Sequence, residues 1–151
     1  MHTLEEARAQ MLRAIAPVPV ETVPLAEDAG QVLGSAACAQ IDLPRFDNSA
    51  MDGYAVRAAE AATGAKLKCI GEVPAGSAFD ETVGEGECVR IFTGSPMPEG
   101  ANAVVMQEDT LAAGDAIEIT DGVKPFEHVR LRGEDVKADE VIGRAGERLH
   151  A

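Results

Sequence analysis

Glycines at 71, 76, 84, 86, 94 and 100 cut the middle of this chain into pieces too short for ordinary helices. Between and beyond them stand apolar runs at 66–72, 87–92, 103–108 and 116–120, each of strand length. In the second run Cys88, Arg90 and Phe92 alternate with Val89 and Ile91, which suits a strand with both faces partly covered. Short segments at this spacing favour a compact β barrel or folded-over sheet. Gly114-Asp115 is a hairpin candidate between the last two runs, over a connection longer than the tightest hairpin loops.

The clearest helix lies at residues 3 to about 15. Thr3 and Glu6 have the spacing of a capping box, and Leu4, Ala7, Met11, Leu12 and Ile15 fall on one face, an ordinary pattern for core packing. Pro17 and Pro19 end it, and Glu5, Arg8 and Arg13 form the solvated side. Residues 20–41 read as short extended pieces and turns. Residues 57–62 read as one helical turn closed by Gly64, residues 71–79 as a strand-to-turn support, and residues 134–149 as extended pieces leaving the barrel.

A chain of 151 residues accommodates one domain or two small lobes, and aromatics at 3% leave Val, Ile, Leu, Met and Ala to build the core. The formal charge of −13 opposes nonspecific binding to nucleic acid or to an anionic membrane. No apolar run reaches the roughly 18 residues of a membrane helix, and residues 1–10 lack a signal-peptide pattern, so a cytoplasmic protein is expected. Cys38, Cys69 and Cys88 are odd in number and never CxxC, and read as reduced thiols. His2, His128 and His150 suggest neither a hydrolase triad nor zinc spacing, and no nucleotide-binding glycine motif is present.

The stretch with the densest chemistry is residues 43–56, LPRFDNSAMDGYAV. Asp47, Asn48, Ser49 and Asp52-Gly53 are turn formers, yet Phe46, Ala50, Met51 and Tyr54 would anchor them to a core, as in a loop built for binding. Thr93-Gly94-Ser95-Pro96 follows a strand, and its hydroxyl and amides suit an oxyanion, although a plain Gly/Pro turn fits equally. Asp135 follows Arg132-Gly133-Glu134 and on its own reads as an exposed turn carboxylate.

FDNSAMDGYA, RIFTGSPMPEGANAVVMQE at residues 90–108 and RLRGEDV at residues 130–136 resemble, in the same order, the N-terminal region of the MoeA family of molybdopterin molybdenumtransferases. The resemblance implies an α+β, mostly β fold. A β-barrel-like lobe, residues 44–139, would be inserted into an extended, strand-rich lobe made of residues 1–43 and 140–151 with the N-terminal helix. It implies insertion of molybdenum from molybdate into adenylylated molybdopterin with Mg²⁺, releasing AMP, by a homodimer, with a molybdopterin adenylyltransferase as a partner protein. The positions it marks as catalytic are Asp52, Thr93 and Asp135, with Asp52 and Asp135 as Mg²⁺ ligands. Ser49, Gly94, Ser95 and Arg132 are the substrate-binding candidates.

Such an active site is completed by a larger α/β domain absent from these residues, so the isolated chain is expected to be inactive. The alternative is a noncatalytic dimerisation or scaffold module that keeps the family fold. Only a catalytic chain needs Asp52, Thr93 and Asp135 gathered in one place.

Overall fold

The Thr3 hydroxyl accepts the Glu6 N–H at 3.2 Å while the Thr3 N–H donates to the Glu6 carboxylate at 2.9 Å, so the capping box forms and starts helix α1, Leu4–Ala14. The computed structural model describes residues 3–16 and 18–150; Pro17, expected to stop the helix, and His2 lie outside them, as does the side chain of Ala113. The chain divides into two compact units, Met1–Ala37 with Val141–Ala151, and Cys38–Glu140.

In the first unit the expectation of a core-packed helix fails. Leu4, Met11, Leu12 and Ile15 are 58–80% exposed, and α1 has no buried residue. The helix stands on its cap and its backbone bonds, with no apolar layer from the described residues burying it. Residues 20–36 hold less strand than expected: one 3₁₀ turn, Leu25–Glu27, and an isolated bridge between Val32 and Arg148. The chain nevertheless runs antiparallel here, with the Leu33 N–H donating to the Glu147 carbonyl and the Leu149 N–H to that of Gln31, both at 2.9 Å. Strands β1 (Ala37–Cys38) and β10 (Val141–Gly143) make a two-stranded ladder.

The second unit carries the barrel-like sheet. Strands β3 (Gly53–Val56), β4 (Lys66–Val73), β5 (Glu87–Ile91), β6 (Ala103–Met106), β7 (Thr110–Ala113) and β8 (Ala116–Ile119) lie in the order β6-β3-β5-β4-β8-β7. All neighbours are antiparallel except β4 and β5, which run parallel with a register shift between Cys69 and Glu72. The chain after β4 follows the turn expected at residues 71–79, where the Ser77 N–H closes onto the Pro74 carbonyl at 3.0 Å. The one-turn helix expected after residue 56 is the 3₁₀ turn Ala58–Glu60. The curled, mostly β architecture expected from the glycine spacing is what the chain adopts.

Two details differ. Residues 53–56 form not a loop but a strand in the sheet interior, paired on both sides: Ala55 faces Val89 and Val104, and Val56 faces Cys88 and Ala103. The hairpin at Gly114-Asp115 joins β8 to β7, which starts at Thr110, so its loop is the tight two-residue kind, with Gly114 at φ 70° as such loops require.

The alternation in β3 and β5 sends residues to two separate cores. Val56, Cys88, Val105, Leu67, Ile117 and Ile119 pack on one face, and Ala55, Val73, Val83, Val89, Ile91 and Val104 on the other. Each fully buried Val or Ile contributes about 1.5–3 kcal/mol of transfer free energy, so the register of β3 is fixed from both sides. At its start, a side chain on Gly53 would strike the Val105 carbonyl oxygen of β6, which explains the glycine.

Candidate functional site

Strand β2 is only Asn48–Ser49, yet it is the meeting point of the sequence motifs. On one side the Ser49 N–H donates to the Ser95 carbonyl at 3.0 Å, and the Gly94 N–H donates to the Ser49 carbonyl at 2.8 Å. On the other, β2 pairs with β9 (Val129–Arg130), placing Asn48 opposite Arg130. The Thr93–Pro96 turn and the start of the RLRGEDV segment therefore flank one two-residue strand. Two interstrand spacings separate their main chains, about 10 Å.

The hydroxyls of the two buried serines turn inward. Ser49 Oγ donates to the Met51 carbonyl at 2.5 Å and Ser95 Oγ to the Val73 carbonyl at 3.1 Å. These positions build the loop in this structure. The amides expected to cradle an oxyanion are likewise committed: Thr93 N–H to Asp52, Gly94 N–H to Ser49 and Ser95 N–H to the Phe92 carbonyl. The turn is thus no open anion nest, because its donors close the turn and join it to β2.

Asp52 and Thr93 are in direct contact. Asp52 Oδ1 accepts the Thr93 N–H at 2.9 Å and the Thr93 hydroxyl at 2.8 Å. These two bonds, with the charge of Arg90 as a smaller contribution, hold the Asp52 carboxyl below the usual carboxylate range. The contact follows from the sheet: Asp52 precedes β3 and Thr93 lies just past β5, and those strands pair in the register Gly53 to Ile91. Both side chains are exposed, and Asp52 Oδ2 is left without a protein partner among the described residues.

Asp135 stands apart from that pair, held by Arg130. One terminal nitrogen of Arg130 reaches both Asp135 oxygens at 2.6 Å, and its Nε reaches Glu134 at 2.6 Å. The two carboxylates, Asp135 foremost, push the Arg130 pKa up, while Arg130 and the Leu131 N–H hold Glu134 down. The Asp135 N–H donates to the Leu43 carbonyl at 2.9 Å, tying the segment to the start of the first motif. Arg132 is fixed by Asp47, which accepts its N–H at 2.7 Å, and by Asp42, which accepts its Nε at 2.5 Å. Asp42 also accepts the Ala138 N–H at 2.8 Å, and that bond, then Arg132, keeps its pKa low.

An open groove of about 400 Å³ lies along this face, lined by Arg45, Phe46, Asp47, Arg132 and residues 96–101. Its walls include Arg132 but not Asp52, Thr93 or Asp135. Residues 45–47 of the anchored loop line the groove, whereas the hold of Asp42 and Asp47 on Arg132 was not expected from the sequence. Asp47 had a visible signal, its place in the first motif, and Asp42 had none.

As a magnesium site the donor set is sparse. No group of three or more His, Cys, Asp or Glu side chains among the described residues could hold a metal ion. Asp52 offers one free oxygen, a set that suits Mg²⁺ only when substrate oxygens and water complete the shell.

The model of the MoeA N-terminal region, domains I and II, matches residues 2–151. The chain belongs to the MoeA family. It is 40% identical over 152 residues to a molybdopterin molybdenumtransferase of Haemophilus influenzae, covering 99% of this chain and 37% of that protein. It is 43% identical over 140 residues to molybdopterin molybdenumtransferase 2 of Mycobacterium tuberculosis, covering 89% and 34%. A MoeA molybdopterin biosynthesis protein from Pyrococcus horikoshii superposes with a TM-score of 0.81 at 41% identity, covering 86% of this chain and 36% of that one. A second structure from that organism gives 0.84 at 32% identity over 96% and 39%. The chain thus spans little more than a third of the length of these MoeA relatives.

Proposed function

We propose that this chain is the part of a molybdopterin molybdenumtransferase that contributes Asp52, Thr93 and Asp135 to insertion of molybdenum from molybdate into adenylylated molybdopterin, with release of AMP. The observation that carries the reading is the convergence on β2. The turn bearing the exposed hydroxyl–carboxylate pair flanks that strand on one side, and the segment that leads to the Arg130-bound carboxylate flanks it on the other.

In this reading Asp52 Oδ2 is the oxygen offered to Mg²⁺, Thr93 keeps that carboxylate ionised and aimed, and Arg130 orients Asp135. Mg²⁺, when bound, supplies charge neutralisation at the phosphoanhydride. Arg132 is the substrate-facing candidate because it lines the open groove, with Gly94, Ser49 and Ser95 bracing the loop beneath. The two units, which divide after residue 37 and after residue 140 rather than at 43 and 139, are read as the two domains of the family region. The uncovered apolar face of α1 supports a homodimer. The remaining two thirds of a relative's length would complete the site, so this chain alone should not turn over.

The test is complementation with the native gene product. Asp52→Ala should fold with wild-type circular dichroism and lose molybdenum insertion, whereas a scaffold would tolerate it. Insertion at the wild-type level by Asp52→Ala overturns the proposal.

A further inference from the structure

Asp52 is exposed and immediately precedes a strand, a position where a side chain ordinarily wanders, yet its main chain is held from both neighbours. Arg90, half-buried on β5, reaches across to do this. One terminal nitrogen donates to the Gly53 carbonyl at 3.0 Å, and the other donates to Gln107 Oε1 at 2.6 Å. Gln107 in turn donates its N–H to the Asp52 carbonyl at 3.1 Å. The guanidinium is itself held by rings, 5.2 Å from the centroid of Tyr54 and 4.8 Å from that of Phe92. Tyr54 lies directly opposite Arg90 in the register, and Phe92 is two residues on, beside Thr93. One side chain thus touches the residue after Asp52, the residue before Thr93 and, through Gln107, Asp52 itself.

We propose that Arg90 is a positioning residue for Asp52: its fork on Gly53 and Gln107, clamped by Tyr54 and Phe92, sets the direction in which the free oxygen of Asp52 points. The role rests on the reading of Asp52 as a reacting group. A lysine would keep the charge but lose the planar two-pronged grip and the ring stacking, so the role belongs to the shape of the group as well as its charge.

The test separates geometry from chemistry. In the 151-residue chain, a carboxyl-carbon NMR titration of Asp52 and the amide signal of Thr93 would be followed in wild type, Arg90→Lys, Arg90→Met and Gln107→Leu. Arg90→Lys, with charge retained, should let Asp52 titrate at higher pH and speed exchange of the Thr93 amide by about tenfold or more, the exchange penalty of a local bond opened by about 1.4 kcal/mol. Gln107→Leu should move both in the same direction by less, and it stands in if Arg90→Met does not fold. In the native gene product, Arg90→Lys should lower kcat for insertion at least about tenfold with little change in KM. An unmoved Asp52 titration and Thr93 amide in Arg90→Lys, whatever its Tm, overturns the positioning role. Wild-type insertion by Asp52→Ala would instead remove the functional reading alone.

Discussion

Thr93 gives both of its donors, the main-chain N–H and the hydroxyl, to the same oxygen of Asp52, at 2.9 and 2.8 Å. Half of the carboxylate is thereby committed to the fold and half left to the solvent side. Thr93→Val removes the hydroxyl bond but leaves the amide bond and nearly the same volume. Asp52 should then titrate at a higher pH than in wild type, and Thr93→Ser should restore the wild-type midpoint. Carboxyl-carbon NMR reads both. An unchanged midpoint in Thr93→Val would mean that the amide alone tunes Asp52.

The register that makes this pair is guarded at Gly53. An alanine there would drive its methyl into the Val105 carbonyl on the adjacent strand, with no flexible side chain to yield. Gly53→Ala should cost about 1–3 kcal/mol or more, the range of overpacked core positions. Urea unfolding checks this, with Gly76→Ala, which meets nothing but needs a positive φ, expected to cost less.

Acid should find the same carboxylates. Asp42, Asp52 and Glu134 have native pKa values below their ordinary 3.8, 3.8 and 4.5, held there by backbone N–H groups, Thr93, Arg130 and Arg132. As pH falls, the unfolded chain takes up these protons first. The stabilisation is therefore complete above about pH 5, declines through the ordinary values, and is gone once the lowered native values are passed. The urea midpoint should fall between pH 5 and pH 2.5, and Asp42→Asn should reduce both the midpoint at pH 6 and the size of that fall.

The cysteines should react in order of access. Cys88 is fully buried and in register with Cys69, and burial first, then Cys69, pushes its thiol up to about 12. Cys38 is exposed. At pH 8 a thiol reagent should label Cys38 at once and Cys88 only as fast as the chain opens. Prompt labelling of Cys88 in the folded chain would contradict the packing of β5.

Local chemistry made some of this legible in advance. The Thr3–Glu6 box, the strands at 66, 87, 103 and 116, and the two-faced alternation around Arg90 all depend on neighbours within a few residues. What escaped depends on distance. Residues 53–56 look like the exit of a turn because GYAV is too short to show a period, and only pairing with β5 and β6 makes it an interior strand. The exposed stripe of α1 carries the same pattern as a buried one; periodicity states what a helix could cover, not what lies against it. Asp42 and Arg132 are 90 residues apart, a separation at which no spacing rule speaks.

The central place of β3 has an evolutionary corollary. Asp52 is aimed by a strand whose neighbours are chosen for volume, so substitutions in the two apolar cores and substitutions at the carboxylate are filtered by different demands through the same few residues. A duplicated copy released from its reaction would be free to lose Asp52 and Thr93 while still obliged to keep Gly53, Ser49 and Ser95. Decay of that kind would leave a recognisable fossil: an intact scaffold with its paired hydroxyl and carboxylate erased.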